Sequence, residues 1–312
     1  MSLRSSDPLT IGNVVSAGFR LYRDRLGSYF GIAFISVLWA FVPLLVFVGA
    51  FGTIATAMEG NTSTIVLGVL VGIIIWVYGI AKSLANTALI SRLAFRHLSD
   101  RPEAVSEARR FVMPRMWSFL WMQILVGLLL FVINIGLSIA QSLVNLAVST
   151  VVQEFISLII NFIINIVFFV IYLWLYSHFF IPEVILAIEE NTSSTGAISR
   201  SWNLASGSVW RIQGIVIITT LITLPLYIIA ALPILFALIS AVGGMAGMET
   251  VDSTSILQTV FTAGASVIVS IVLFGLINIF VIPLWQSIKA VIYYDLRSRR
   301  EGIDLEIKDS QS

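Results

Sequence analysis

The chain has no cysteine, which excludes disulfides and thiolate metal sites and leaves its redox compartment unmarked. Histidine is nearly absent: His97 and His178 are the only two, and no HExxH, GxSxG or phosphate-binding glycine loop occurs. Metal or acid-base catalysis needs converging titratable groups, so no catalytic residue, metal site or cofactor is expected. Charge is scarce as well. Only 11% of the 312 residues are charged, against about 25% in a soluble domain. The net charge of +1 offers no basic field for nucleic acid. What fills the chain instead is apolar: 58% hydrophobic residues and a mean hydropathy of +0.98 mark a membrane protein. The first 28 residues carry Arg4, Asp7, Arg20, Arg23, Asp24 and Arg25, too polar for a cleaved signal peptide, so the N-terminus is expected to stay where it is made.

A helical span needs about 20 apolar residues to cross roughly 30 Å of hydrocarbon. Cutting the apolar runs at their polar interruptions gives six spans, near 29–51, 65–84, 119–144, 155–175, 212–238 and 263–284. They pair into three hairpins. The first turn is Met58-Glu59-Gly60-Asn61-Thr62-Ser63, the second runs from Ser149 to Glu154, and the third follows Gly243-Gly244 and holds Glu249 and Asp252.

None of the three turns contains lysine or arginine, although the chain has 18. Those residues lie before the first span, in the connectors Arg92 to Arg115 and Glu189 to Arg211, after the sixth span, or as Lys82 and Lys289 near span ends on that same side. Cytoplasmic segments carry the excess of these residues, so both termini are expected inside.

The segment before each hairpin resembles the others. NVVSAGFRLYRDRLGSYFGIAF from Asn13, EAVSEARRFVMPRMWSFLWMQI from Glu103 and GAISRSWNLASGSVWRIQGIVI from Gly196 align without gaps, matching Val15-Ser16, Val105-Ser106 and Ile198-Ser199. Each reads as an amphipathic helix: in the first, Ile11, Val14, Val15, Gly18, Leu21 and Tyr22 share one face. Asp7-Pro8 would cap the first, an Asp100 to Glu103 capping box the second, and Ser194 or Thr195 the third. The fold expected is an all-α integral membrane protein: six transmembrane helices as three hairpins, each preceded by a cytoplasmic interfacial amphipathic helix. The single membrane domain, 1–312, divides into repeats at 8–98, 99–190 and 191–300, with a polar tail at 301–312.

After the sixth span the apolar pattern continues through Ile282-Pro283, where a bend is expected, to the strip AVIYYDLRSRREG at 290–302. Tyrosines at the water boundary with arginines beyond are the usual anchors of a span. The alternative is a docking surface in which Asp295 orients Arg297, Arg299 or Arg300.

The run YYDLRSRREGIDLE from Tyr293 resembles the closing signature of multi-pass proteins of the glycerophosphoryl diester phosphodiesterase membrane-domain family. PLTIGNVVSAGFRLYRDRL from Pro8 is similar to the family's amphipathic opening, and AISRSWNLASGSVWR from Ala197 to a later copy of it. The resemblance implies a multi-pass architecture in a bacterial inner membrane or thylakoid. It implies no activity, because the phosphodiesterase chemistry of fused members belongs to a separate soluble domain that nothing here resembles.

Ionisable groups near the membrane are costly and often functional. His178 and Glu183 flank Ile181-Pro182, and Lys82 and Lys289 end the second and sixth spans. If these helices converge, Lys82, His178, Glu183 and Lys289 form a polar ring suited to an anionic headgroup or a charge pairing between helices. Asn134, Asn161, Asn165 and Asn278 lie deep in spans, where interhelical hydrogen bonds or a solute path would use them; Gly68 and Gly72 form a GxxxG. Two functions remain open. One is a non-enzymatic scaffold or membrane-organising protein with lipids, a second copy or another membrane protein as partner. The other is a transporter or channel for a small or lipid-like solute.

The segregation of positive charge makes the topology testable. Single cysteines at Asn61, Gln153 and Gly247 are expected to label with an impermeant reagent on intact cells, and cysteines at Ser6, Ser106 and Asp309 only after permeabilisation. Reversed labelling of either set removes the orientation.

Overall fold

The computed structural model describes residues 10–56, 62–151, 154–246 and 253–311, and every element among them is helical. Hydrocarbon offers no hydrogen-bond partners, so long apolar segments satisfy their backbone internally. Five helical stretches are long and apolar enough to cross a bilayer: Val66–Leu98, Val105–Thr150, Phe155–Ile188, Val209–Ser240 and Phe261–Arg300. The chain is an integral, multi-pass membrane protein. A shorter apolar stretch, Leu26–Phe41, opens a further helix.

In chain order, α1 (Ile11–Asp24) precedes α2 (Leu26–Thr56) and α3 (Thr62–Leu98). Next, α4 (Val105–Val112) and a 3-10 turn at Met113–Arg115 precede α5 (Met116–Val151) and α6 (Glu154–His178). After the short α7 (Pro182–Ile188), α8 (Ser194–Ala205) precedes α9 (Val209–Ala246) and α10 (Ser253–Gln311). Gly207, between α8 and α9, has φ +86°, a conformation that a residue without Cβ adopts freely.

The helix ends differ from expectation. Asp7-Pro8, Glu59, Glu249 and Asp252 lie outside the described residues, and the α1 cap is Thr10, whose hydroxyl accepts from the Asn13 N–H at 3.2 Å. Ser193 caps α8, accepting from the Gly196 N–H at 3.1 Å, while Ser194 donates to the Ser118 carbonyl at 2.8 Å and ties α8 to α5. No capping box forms on α4, which starts at Val105 without a side-chain cap, because Glu103 is held by Arg92. Pro182 does open a new helix, whereas α10 runs on through Pro283. The second span does not stop near residue 84. Ala85, Ala88, Leu89, Ile90 and Ala94 are buried, and their packing carries α3 on to Leu98.

This extension belongs to the core, which sits at the arginine-rich end of the molecule. Tyr29 and Ile32 of α2, Phe119 and Met122 of α5, and Ile212 and Ile215 of α9 meet Leu204 of α8, Ile185 and Leu186 of α7, and Ile288 and Tyr293 of α10. The apolar stretches themselves are thinly packed. In the most apolar window of 155–188 no residue is buried, as suits side chains that lipid would solvate.

The helix pairs close into a cycle. The second helix of each touches the first helix of the next: α3 against α5, α6 against α9, and α10 against α2. The short helices are displaced by one step, since α1 lies on α9 and α10, α4 on α3, and α8 on α5, α6 and α7.

Where α1 crosses α10, a Cβ added to Gly18 would stand 2.4 Å from Ile288 Cγ1 and 3.1 Å from its Cα. Gly18→Ala is therefore expected to destabilise the protein by about 1–3 kcal/mol, the range for overpacking. Gly12, with nothing within 4 Å, is the control. Gly12→Ala should be neutral or stabilise by up to about 1 kcal/mol through helix propensity. Thermal unfolding in detergent compares the two, and equal melting temperatures would refute the close contact.

Candidate functional site

The C-terminal end of α7 leaves carbonyls with no helical partner, and two arginines from distant helices satisfy them. Arg115 Nη1 donates to Leu186 O at 2.8 Å and Glu189 O at 3.0 Å, and its Nη2 to Thr192 O at 2.5 Å. Arg92 Nη1 donates to Ala187 O at 3.0 Å, and its Nε and Nη2 hold the two carboxylate oxygens of Glu103 at 2.8 and 3.1 Å. The Phe111 ring lies near both guanidinium groups, its centroid 3.9 Å from Arg92 and 5.1 Å from Arg115, so that each gains cation–π attraction. Arg92, at the start of the connector expected in the cytoplasm, is buried.

Glu189, one residue past α7, accepts from the Tyr293 hydroxyl at 2.9 Å and the Thr192 hydroxyl at 2.9 Å, and pairs with Arg200 at 3.4 Å. Tyr293 is therefore no anchor at the water boundary. Its ring is wholly buried beside Phe95, and a buried phenol needs such an acceptor. Tyr294 stays partly exposed on the other side.

Of the four ring candidates, two meet. Lys289 Nζ lies 2.5 Å from Glu183 Oε1, which also accepts from Gln286 Nε2 at 3.0 Å; Gln286 in turn bonds Ser91. Phe180 covers the ammonium, its centroid 4.9 Å away. Lys82 instead rests near the Tyr78 ring, 5.6 Å from its centroid. His178 ends α6 and turns toward α8, stacked on Trp202 at 4.0 Å and edge-on to Trp174 at 4.6 Å. The helix breaks after His178, whose ring packs on α8 while Glu183 pairs with α10, so proximity along the sequence is not proximity in space. The ring Nδ1 lies 3.0 Å from the Trp174 carbonyl, which can only accept, so the proton sits on Nδ1.

In the charged strip, Asp295 holds two arginines. It bonds Arg211 of α9, and Arg299 lies with Nε 3.1 Å from Oδ2. Arg300 donates to the Ser206 carbonyl at 2.8 Å. Arg297 lines an open cleft with Phe95, Arg96, Ser99, Arg101, Tyr294 and Ser298. Two of the deep asparagines bond across helices: Gln141 Nε2 donates to Asn165 Oδ1 at 2.6 Å, and the Tyr227 hydroxyl to Asn278 Oδ1 at 3.1 Å. Asn134 is exposed, and the Asn161 carbonyl accepts from Asn165 at 2.6 Å. Gly72 faces Val46 of α2, and Gly68 faces open space.

Among the described residues, no group of three or more His, Asp or Glu side chains converges as a metal site would. The arrangement can neutralise and position charge, bind anions and hold helix ends. No protein-family model, curated protein or solved structure matches the chain.

The clamp on α7 predicts a steep asymmetry. Arg92→Met leaves a helix-end carbonyl without its donor and Glu103 with only Arg96, 3.5 Å away, and should cost about 3 kcal/mol, the lower end for breaking a buried pair. Adding Glu103→Gln should recover part of that loss. A double-mutant cycle on unfolding in detergent measures the coupling, and additive losses would show that the pair is not energetically joined.

Proposed function

We propose that the protein is a non-enzymatic membrane scaffold, in which six crossings arranged as three hairpins carry a cytoplasmic lobe that organises partners at the membrane surface. The observation that supports this most is the placement of the core. Buried packing and ion pairs concentrate at the arginine-rich end, while the apolar stretches are left largely to their surroundings. A closely packed lobe on a base left to lipid suits presentation of a surface.

The sixth crossing in this reading is α2. Its 31 residues rise about 46 Å at 1.5 Å each, more than the hydrocarbon requires. The three interfacial helices are α1, α4 and α8, and a pattern of burial supports treating them as one repeated unit. The aligned residues Tyr29, Phe119 and Ile212 are all buried, as are Ile32, Met122 and Ile215. Helix breaks fall at corresponding places, at Arg25, Met113–Arg115 and Ser206–Ser208. Exposed Trp117, Trp121 and Trp210 fit a water–lipid boundary beside this lobe. The resemblance of the chain's ends and middle to the phosphodiesterase membrane domain agrees with this architecture.

The cleft lined by Arg96, Arg101 and Arg297 is the proposed partner surface, suited to an acidic segment. Against a transporter, the Gln141–Asn165 and Tyr227–Asn278 bonds occupy polar groups that a solute path would use. The test is purification in several mild detergents. We expect one protein at constant stoichiometry, lost on combining Arg101→Glu with Arg297→Glu while the level of this chain is unchanged. Solute flux in vesicles of the purified chain, abolished by Asn161→Leu with Asn165→Leu, would overturn the scaffold in favour of transport.

A further inference from the structure

A second cleft lies where α6, α8, α9 and α10 meet. It encloses about 1020 Å³, including the solvent at its mouth, and Trp174, Trp202 and Trp210 form its apolar sides. His178, Arg211 and Arg299 supply its polar surface, and the Ser206-Gly207-Ser208 turn leads into the first turn of α9.

Three observations give this cleft a ligand chemistry. First, Arg211 gives one nitrogen to Asp295, but its Nε and Nη1 are buried and have no acceptor. Buried donors left unpaired are costly, and because the Arg211 side chain is 21% exposed, a shift of its head toward the cleft would give them an anion oxygen. Second, the balance of charge is positive, with Arg211 and Arg299 against Asp295 and with Arg300 bound to Ser206 at the rim. Third, the cleft opens where the apolar stretch of α9 begins, beside Trp210, which is 65% exposed. Ile217 and Leu221 on α9, and Val167 and Ile171 on α6, continue from it as exposed apolar surface. A water-soluble phosphate would match the arginines alone. A molecule with a phosphate head and acyl chains matches the arginines, the tryptophan walls and the apolar track.

We propose that this cleft binds the phosphate headgroup of an anionic phospholipid, with Arg211 and Arg299 on the phosphate, the tryptophans around the glycerol region, and the acyl chains along α6 and α9. The assignment stands on the cleft's own geometry and holds whether or not the lobe recruits a protein partner.

The experiment compares thermal unfolding of the detergent-purified full chain with added phosphatidylglycerol, phosphatidylcholine or inorganic phosphate. Phosphatidylglycerol is expected to raise the melting temperature, and the other two are not. Arg299→Gln should weaken the apparent affinity about tenfold, the worth of one charge-assisted bond. Arg211→Gln and Arg299→Gln each strip Asp295 of a partner, so Trp210→Ser, at an exposed position, serves as the second variant and should weaken binding at unchanged basal stability. A photoactivatable phosphatidylglycerol should crosslink within 167–178 or 202–221. Equal stabilisation by phosphatidylcholine, full stabilisation by inorganic phosphate, unchanged affinity in both variants, or crosslinks confined to other helices would each overturn the assignment.

Discussion

The two arginines that close the end of α7 are the contact on which the rest of the lobe depends. Arg92 comes from α3 and Arg115 from the turn before α5, and both reach carbonyls at 186–192. The segment they hold carries Glu183 toward α10 at one end and Glu189 toward Tyr293 at the other. One clamp thereby fixes α3, α5, α7 and α10 relative to one another. Lipid gives helices little hydrophobic reason to associate, because acyl chains are as apolar as leucine. Register must come from contacts that lipid cannot replace, and charge-assisted bonds to helix-end carbonyls are of that kind.

Much of the plan was readable from residue order. Apolar run length found five helices long and apolar enough to cross a membrane. What composition could not show was which polar residues would turn inward. Arg92 reads as the start of a connector because it follows a span and precedes further arginines. It is buried because α3 continues past it with Ala85, Ala88 and Ala94 on the packed side, small enough for neighbours to approach. Glu103 has capping-box spacing, yet a buried guanidinium outcompetes a backbone N–H that water could equally satisfy.

The candidate site was legible as individual residues and not as a constellation. Of the four residues that a converging ring would join, Glu183 and Lys289 meet. His178 was grouped with them on sequence distance, and the break after α6 sends it to Trp202 instead. Arg211 had no local signal at all. Its partner Asp295 lies 84 positions away, and only the packing of α9 against α10 brings them together.

The displaced placement of the short helices has a physical consequence. Each lies on helices from another third of the chain, so no third can complete its own share of the core alone. At the crossing positions the aligned residues Gly18, Ala108 and Ser201 are all small and buried. A larger side chain at Gly18 would hold α1 away from α10. For Gly18 the obstacle is the Ile288 backbone and side chain, and for Ser201 the place is fixed further by a 2.7 Å bond from its hydroxyl to the His178 carbonyl. The approach of α1 to α10 is therefore a steric requirement on Gly18, with the buried ion pairs fixing the register once that approach is allowed.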